Sequence, residues 1–196
     1  GETITLRDSN GKKVAGVNYD SEFPWPIAAD GEGASMALVN PAVDNDLGSS
    51  WRSQTPPTPG ATNSVFAVNA APNIRQVEHT PQTPTSTNQI IITAKVTDPQ
   101  GVASVQLQYQ LVTPGNYLPA SLPVPINQLI ANTSLSPTLN PAYTNAANWI
   151  TLPMADGGTG GDAVAGDDIY TAVLPAQAHR VLVRYRIVVA DTLGAT

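Results

Sequence analysis

The sequence predicts an all-β protein built from antiparallel β-sandwiches. Apolar and polar residues alternate over residues 90–97, 105–111 and 181–189, and a period of two is typical of a sheet with one buried and one solvated face. The 18 prolines and 15 glycines of the chain favour turns and short strands over helices. Because each apolar face needs a second layer to cover it, these strands predict a sandwich.

Composition narrows the class of protein and its partners. A chain of 196 residues is long enough for two small domains. The pattern of its residues changes near residue 64, and this change favours two domains over one. The formal net charge of -6 provides no basic stripe for a phosphate backbone, so nucleic acid is not an expected partner. The absence of cysteine excludes disulfides and thiolate metal sites.

The same composition bears on location. An acidic, lysine-poor chain rich in Thr, Asn and Gly is common among proteins that work outside the cell, so we expect a secreted or cell-surface protein. No apolar run approaches the roughly 20 residues needed to span a bilayer, and no signal peptide opens the chain. We therefore expect no membrane insertion, with any export signal or anchor lying outside these residues.

Residues 1–63 begin with a β-hairpin. Residues 3–6 alternate in polarity, Asn10-Gly11 supplies a two-residue turn, and residues 14–19 return beside the first strand. A further short strand is predicted at residues 35–39.

A series of motifs follows in a fixed order within the same segment. It comprises Trp25-Pro26, Asp30-Gly31, Gly33, Ser35-Met36, Leu38, an Asp/Asn cluster at 44–46, Trp51, Pro59-Gly60-Ala61 and Asn63. The combination resembles the second half of a bacterial lamin-tail domain. The resemblance implies an incomplete immunoglobulin-like sandwich with a non-catalytic interaction or architectural role. Its open sheet edges would need cover from the following domain, another copy of the chain or upstream residues.

The second part of the chain carries the clearest strand pattern. Strands are predicted at 73–79, at 90–97 and 105–111 on either side of a turn at 98–101, and at 149–153, 169–174 and 181–189. Residues 113–148 interrupt this pattern with six prolines. So long a loop is usually functional or packed by its own side chains. Packing is predicted for Tyr117, Leu122, Ile126, Leu129, Ile130 and Tyr143, with a helical turn at 126–131.

The loop that joins the strands at 149–153 and 169–174 is the most informative. Its four carboxylates are candidate calcium ligands, and they belong to Asp156, Asp162, Asp167 and Asp168. Calcium takes about six to eight oxygen ligands, and a glycine-rich backbone can turn carbonyls and carboxylates inward. In the alternative, an ion-free hairpin, glycine supplies positive φ and aspartate bonds its own backbone. Calcium is the one candidate cofactor, and both interpretations stay open.

This loop also carries a second resemblance. Its motifs are Met154, Asp156-Gly157, Gly160-Gly161-Asp162, Ala165-Gly166-Asp167-Asp168 and Ile169-Tyr170-Thr171-Ala172, continued by Leu174-Pro175, Val183-Arg184-Tyr185-Arg186-Ile187, Ala190-Asp191 and Gly194. They are similar to the immunoglobulin- or fibronectin-III-like module found beside lamin-tail domains and spore-coat-H-type kinase domains in large exported proteins. The sequence departs from the usual pattern of this module at Asp168, a position at which glycine is more common. Any kinase chemistry would belong to a different domain of such a protein.

Together the two resemblances imply two immunoglobulin-like antiparallel β-sandwich modules in tandem, the first incomplete. We place a partial lamin-tail-like sandwich at 1–63, a linker at 64–72, and an immunoglobulin/fibronectin-III-like sandwich at 73–196 with its long insertion at 113–148.

The sequence predicts no catalytic site. Gly33-Ala34-Ser35-Met36-Ala37 comes nearest to a nucleophile elbow, but its last glycine is missing, and an ordinary strand start explains Ser35. His79 lies at a strand end beside prolines and His179 lies in a turn, so both are expected at the surface. A zinc ion would lack further ligands there. We therefore predict that the chain is not an enzyme.

Two groups of residues predict binding instead. Gln106, Gln108 and Gln110 with Arg184 and Arg186 form a polar sheet face that is the best candidate for a protein contact, unless it is simply solvated. The second group is the three tryptophans, Trp25, Trp51 and Trp149. They could form a platform on which sugars stack, and the alternative is that they pack in the core.

We accordingly expect a non-catalytic spacer or adhesion role within a larger secreted or cell-surface bacterial protein. The expected partners are other domains of the same polypeptide or surface proteins, with self-association through open sheet edges. The alternative is a carbohydrate-binding module of an exported enzyme, with glycans as partners.

Overall fold

The computed structural model describes residues 1–31 and 33–196, and it confirms the all-β class. Strands make up 37% of the chain and helices only 10%. Every paired strand is antiparallel where the register is known, as the period of two predicts. Within the described ranges, no helix has both the length and the apolar character needed to cross a membrane.

The chain forms two compact units. The first unit consists of residues 1–74, 96–103 and 190–196, and the second of residues 75–95 and 104–189. The tandem immunoglobulin-like modules and their boundaries stay a prediction.

The first unit contains two small antiparallel pairs. Strands β1 (Glu2–Arg7) and β2 (Lys13–Tyr19) form the predicted hairpin, with Ile4 opposite Val17. Strands β3 (Ser35–Leu38) and β4 (Trp51–Gln54) form the second pair. A small apolar cluster of Val39, Val43, Ala70, Leu38 and Val65 completes the unit's packing.

Polar side chains hold the loops of the first unit together. The Asn40 amide donates to the carbonyl oxygens of Ala67 and Val68, and the Asn63 amide donates to the carbonyl of Leu38. These bonds give the carbonyl groups of three residues hydrogen-bond partners. Asn63, which the lamin-tail resemblance singled out, therefore has a structural use.

A glycine allows the close approach of two loops in this unit. A Cβ on Gly48 would lie 2.8 Å from the Trp25 nitrogen and 2.9 Å from the Pro24 carbonyl carbon. Both neighbours are backbone atoms, so they cannot rotate away. Glycine at this position lets Trp25 pack against Trp51, whose ring centroid lies 6.1 Å away.

The second unit is built mainly from two three-stranded sheets. Its strands, some of which end in residues of the first unit, are β5 (Asn73–Thr80), β6 (Ile90–Thr97), β7 (Val102–Val112), β8 (Ser121–Leu122), β9 (Thr138–Leu139), β10 (Ile150–Pro153), β11 (Ile169–Leu174) and β12 (Leu182–Asp191). One sheet has the order β10-β7-β12 and the other β11-β6-β5. Strands β6 and β7 are therefore neighbours in sequence that belong to different sheets.

Alternation of burial follows the predicted pattern along both central strands. Ile90, Ile92 and Ala94 are buried along β6, and Leu107 and Tyr109 along β7. The prediction fails at the end of β7, where Gln110 is buried and Leu111 is exposed. The inward and outward positions change phase after Tyr109, so Gln110 does not belong to a solvated face.

The long insertion is only partly packed. Its helix α1 (Ile126–Ala131) lies where the helical turn was predicted, and a second short helix, α2 (Pro141–Thr144), follows the β8–β9 pair. The packing prediction is wrong for four residues, which are exposed: Tyr117, Leu122, Ile126 and Ile130. Polar contacts connect parts of the insertion to one another, as where the Asn140 amide donates to the carbonyl of Pro119 at 2.9 Å.

Candidate functional site

The aspartate and glycine loop between β10 and β11 brings three of the four predicted carboxylates together. Asp156, Asp162 and Asp167 each place a carboxylate oxygen within 4.8 Å of the other two. Asp168 does not belong to this cluster. It is exposed and has a φ of 66°, a left-handed conformation that glycine adopts more easily.

Asp156 organises the end of the loop. Its Oδ1 accepts hydrogen bonds from the backbone N–H of Gly166 at 2.7 Å and of Asp167 at 3.3 Å. Its Oδ2 accepts one from the N–H of Asp168 at 3.1 Å. One carboxylate thus receives three consecutive backbone donors and fixes the turn that leads into β11.

Asp162 is the most buried member of the cluster, with 8% of its surface exposed. Its Oδ2 accepts the N–H of Gly158 at 2.6 Å, and its Oδ1 accepts the Thr171 hydroxyl at 3.4 Å. The preceding Gly161 has a φ of 101°, and a Cβ there would lie 2.6 Å from the Val173 side chain. Glycine is therefore required for Asp162 to reach Thr171.

The loop is an anionic region of the second unit. Burial raises the pKa of Tyr170, and the neighbouring charges of Asp156 and Asp168 raise it further. Three convergent carboxylates supply part of the ligand set that calcium prefers. Their hydrogen bonds to backbone N–H groups are also what an ion-free turn requires. The geometry is compatible with both interpretations, and the bonds to Asp156 and Asp162 give the turn an explanation without an ion.

A layer of cationic and aromatic side chains covers one face of the β10-β7-β12 sheet. The Arg186 guanidinium carbon lies 4.1 Å from the ring centroid of Trp149, and its Nε donates to Oε1 of Gln108 at 2.8 Å. Arg184 lies 5.4 Å from the Tyr117 centroid and 5.2 Å from that of Tyr143. We call these six residues, Gln108, Tyr117, Tyr143, Trp149, Arg184 and Arg186, the arginine face.

The aromatic rings of this face support one another. Tyr143 and Trp149 meet edge to face with centroids 5.4 Å apart, and the Trp149 indole N–H donates to the Tyr143 carbonyl at 2.8 Å. Tyr117 is 68% exposed. The sequence predicted a polar face with Gln108, Arg184 and Arg186, and it predicted packing for Tyr117 and Tyr143 within the insertion. It did not predict that the two tyrosines reach this face, because nothing in the proline-rich insertion indicates where it folds back.

Of the residues considered for catalysis, Ser35 belongs to the first unit, whereas His79 and His179 both line one groove of the second unit. Ser35 lies in β3, where its hydroxyl donates to the Gln54 carbonyl at 3.4 Å, as an ordinary strand residue does. His79 is half-buried at the end of β5, with its ring 6.4 Å from that of Tyr185, while His179 is exposed. Burial raises the pKa of Tyr185.

The tryptophans are mostly enclosed. Trp25 and Trp149 are buried, and Trp51 is half-buried with its indole N–H donating to the Asn45 carbonyl at 2.9 Å. Trp25 and Trp51 line a depression of about 160 Å³ together with Ile4, Val17, Tyr19 and Met36. This lining is almost entirely apolar.

Comparison with known proteins adds no relative. No family model matches the chain, and neither a curated protein nor a solved structure matches it.

Proposed function

We propose that this chain is a non-catalytic structural and interaction module of a larger secreted or cell-surface bacterial protein, and that the arginine face is its protein-contact surface. The observation that carries the proposal is the pair of arginines stacked on aromatic rings, with Tyr117 open to solvent. Tyrosine, tryptophan and arginine are the residue types enriched at the energetic centres of protein interfaces.

The side chains of the arginine face are held in place by one another, which supports a role in protein contact. Gln108 and Trp149 fix Arg186 on two sides, and Tyr117 and Tyr143 flank Arg184. A partner that binds pre-ordered side chains loses less conformational entropy than one that must order them, so part of the free-energy cost of association is already met.

The two family resemblances support the wider setting. We propose a partial lamin-tail-like sandwich followed by an immunoglobulin/fibronectin-III-like sandwich, acting as a spacer or adhesion element. Partners would then be surface proteins or other domains of the same polypeptide.

Selection of a random-peptide phage library on the immobilised chain tests the protein-contact role. We expect selected peptides to bind the wild-type chain and to lose about tenfold or more in affinity against Tyr117→Ser and Arg184→Gln. Matched changes outside the face, Tyr19→Ser and Arg52→Gln, should leave the affinity unchanged. Selected peptides that bind all four variants equally would contradict the proposal.

A carbohydrate-binding role is the second candidate, and the half-buried Trp51 beside its depression is the observation that favours it. A glycan array should then give a hit that Trp51→Ala removes and that Trp149→Ala leaves. The apolar lining disfavours this role, because sugars need polar partners for their hydroxyls.

Catalysis can be tested directly. We expect no turnover of glycan, ester or phosphoryl substrates by the purified chain. Turnover that Ser35→Ala or Asp162→Asn abolishes would show that the non-catalytic assignment is wrong.

A further inference from the structure

The two sheets of the second unit are joined along one side and apart along the other. On the β10 and β11 side the chain passes directly between them: the Met154 N–H donates to the Val105 carbonyl at 2.9 Å, and Ala155 exchanges two backbone hydrogen bonds with Thr171. At the β12 and β5 side there is instead a groove of about 510 Å³, which we call the β12 groove.

The β12 groove is apolar at its base and basic at its opening. Buried Ile90 and Ile92 lie at its base with Val183, while the exposed His179 and Arg180 lie at its opening. No acidic residue is among the described residues that line it. The groove therefore suits apolar side chains, and its surroundings disfavour a basic occupant.

Strand β12 is an open edge beside this groove, and the charged side chains within its residues 182–189 are those of Arg184 and Arg186. It runs for 10 residues without proline, glycine or lysine, and β7 is its one hydrogen-bonded neighbour within the described chain. Unpaired edges of this kind are templates for strand addition. The edge strand of the other sheet, β5, is interrupted by the irregular backbone of Gln76, which has a φ of 51°.

Charge argues against a second copy of the chain as the occupant. Arg184 and Arg186 lie on the same face of β12, two residues apart. In a symmetric antiparallel pair centred on Tyr185, each Arg184 would lie opposite Arg186 of the other copy, and like charges directly opposite one another destabilise a strand pair. Acidic side chains at those positions would be favourable instead.

We propose that β12 binds, by strand addition, an extended segment of a partner protein in which apolar and acidic residues alternate. Its apolar side chains enter the β12 groove, and its acidic side chains face Arg184 and Arg186. Main-chain hydrogen bonds to the β12 edge provide affinity, and the alternation provides specificity. This inference rests on the proposed protein-contact function and names the chemistry of the partner.

The test uses the ¹⁵N-labelled full chain and the synthetic peptide acetyl-SVEVEIEVS-amide. We expect saturable shifts of amide signals along residues 182–189 and slower hydrogen exchange at alternate amides of that stretch. Three matched peptides serve as comparisons: one with lysine in place of each glutamate, one of the same composition with its glutamates clustered, and one N-methylated at every second residue. Each should bind about tenfold more weakly or not at all.

Protein variants locate the site. Ala178→Trp places a large ring in the β12 groove from an exposed position outside any strand, and it should weaken binding about tenfold or more while the rest of the amide spectrum is retained. Arg52→Gln lies in the first unit and should have no effect.

The outcomes separate the two proposals. Absence of saturable shifts, shifts away from residues 182–189, or equal binding of the lysine peptide would overturn strand addition. If phage-selected peptides still depend on Tyr117 and Arg184 in that case, the protein-contact function survives. Loss of that dependence as well would remove both.

Discussion

Arg186 stacks on Trp149 across the full width of a three-stranded sheet. Arg186 belongs to the edge strand β12, Trp149 precedes the opposite edge strand β10, and Gln108 of the central strand β7 accepts the Arg186 Nε–H between them. One side chain thus ties three strands together on their outer face. This contact both stabilises the sheet and orders the surface that we propose for partner binding.

The Arg186 contact should depend on the guanidinium and not on charge alone. We expect Arg186→Lys to lower the free energy of unfolding by about 1 kcal/mol, because an ammonium cannot keep both the stacking and the Nε hydrogen bond. Urea unfolding followed by circular dichroism measures this change. Arg52→Lys is the control and should stay near the wild-type value; equal effects of the two changes would refute the assigned role.

Asp162 should matter more for stability than Asp168. Replacing Asp162 by alanine leaves the Gly158 N–H and the Thr171 hydroxyl without their acceptor, so we expect a loss of about 1–3 kcal/mol. Asp168→Asn removes only the charge of an exposed side chain, and asparagine tolerates the left-handed φ of 66° as aspartate does, so this change should alter stability by less than about 0.5 kcal/mol. The same unfolding experiment compares them, and a larger effect at Asp168 would contradict the structure of the loop.

Calcium titration distinguishes the two interpretations of this loop. Because backbone N–H groups already stabilise Asp156 and Asp162, we expect about 1 mM calcium to leave the melting temperature unchanged. A calcium site would give a rise in the wild-type chain that is absent from Asp162→Asn. That result would establish the metal interpretation and displace the ion-free turn.

Asp191 should make the first unit sensitive to acid. It is 2% exposed, and although burial acts to raise its pKa, hydrogen bonds from Ala195, Asn69 and Leu193 lower the pKa below its ordinary 3.8. A carboxyl with a depressed pKa stabilises the fold fully above pH 3.8, and this contribution is lost as pH falls through the lowered pKa.

The acid prediction is tested by urea unfolding from about pH 6 down to about pH 2. Asp191→Asn should be less stable than the wild type at the upper end, and the difference should shrink below pH 3.8. A constant difference across the whole range would show that the Asp191 charge is not linked to folding.

The strands were predictable from the sequence because their polarity alternates, and β6, β11 and α1 lie where the pattern indicates. The separation of β6 and β7 into two sheets was not, because alternation indicates which face is buried and not which strand pairs with it. The sequence predicted packing for Tyr117 and Tyr143 but not their common contact with Arg184. They lie 26 residues apart in an irregular insertion, and their meeting on Arg184 depends on how that insertion folds back.

The acidic loop illustrates the same limit at the candidate site. Clustered aspartates and glycines predicted that carboxylates would converge, and three of them do. Asp168 does not join them, because its backbone adopts a left-handed turn that donates its N–H to Asp156. Sequence spacing alone cannot show which of two adjacent aspartates faces inward.

The most direct test of the protein-contact role is an amide chemical-shift map of the labelled chain with a phage-selected peptide at saturation. We predict that the largest shifts fall at the residues of the arginine face, Gln108, Tyr117, Tyr143, Trp149, Arg184 and Arg186, and at their immediate neighbours. Shifts confined to the Trp25 and Trp51 depression, or spread evenly over both units, would contradict it.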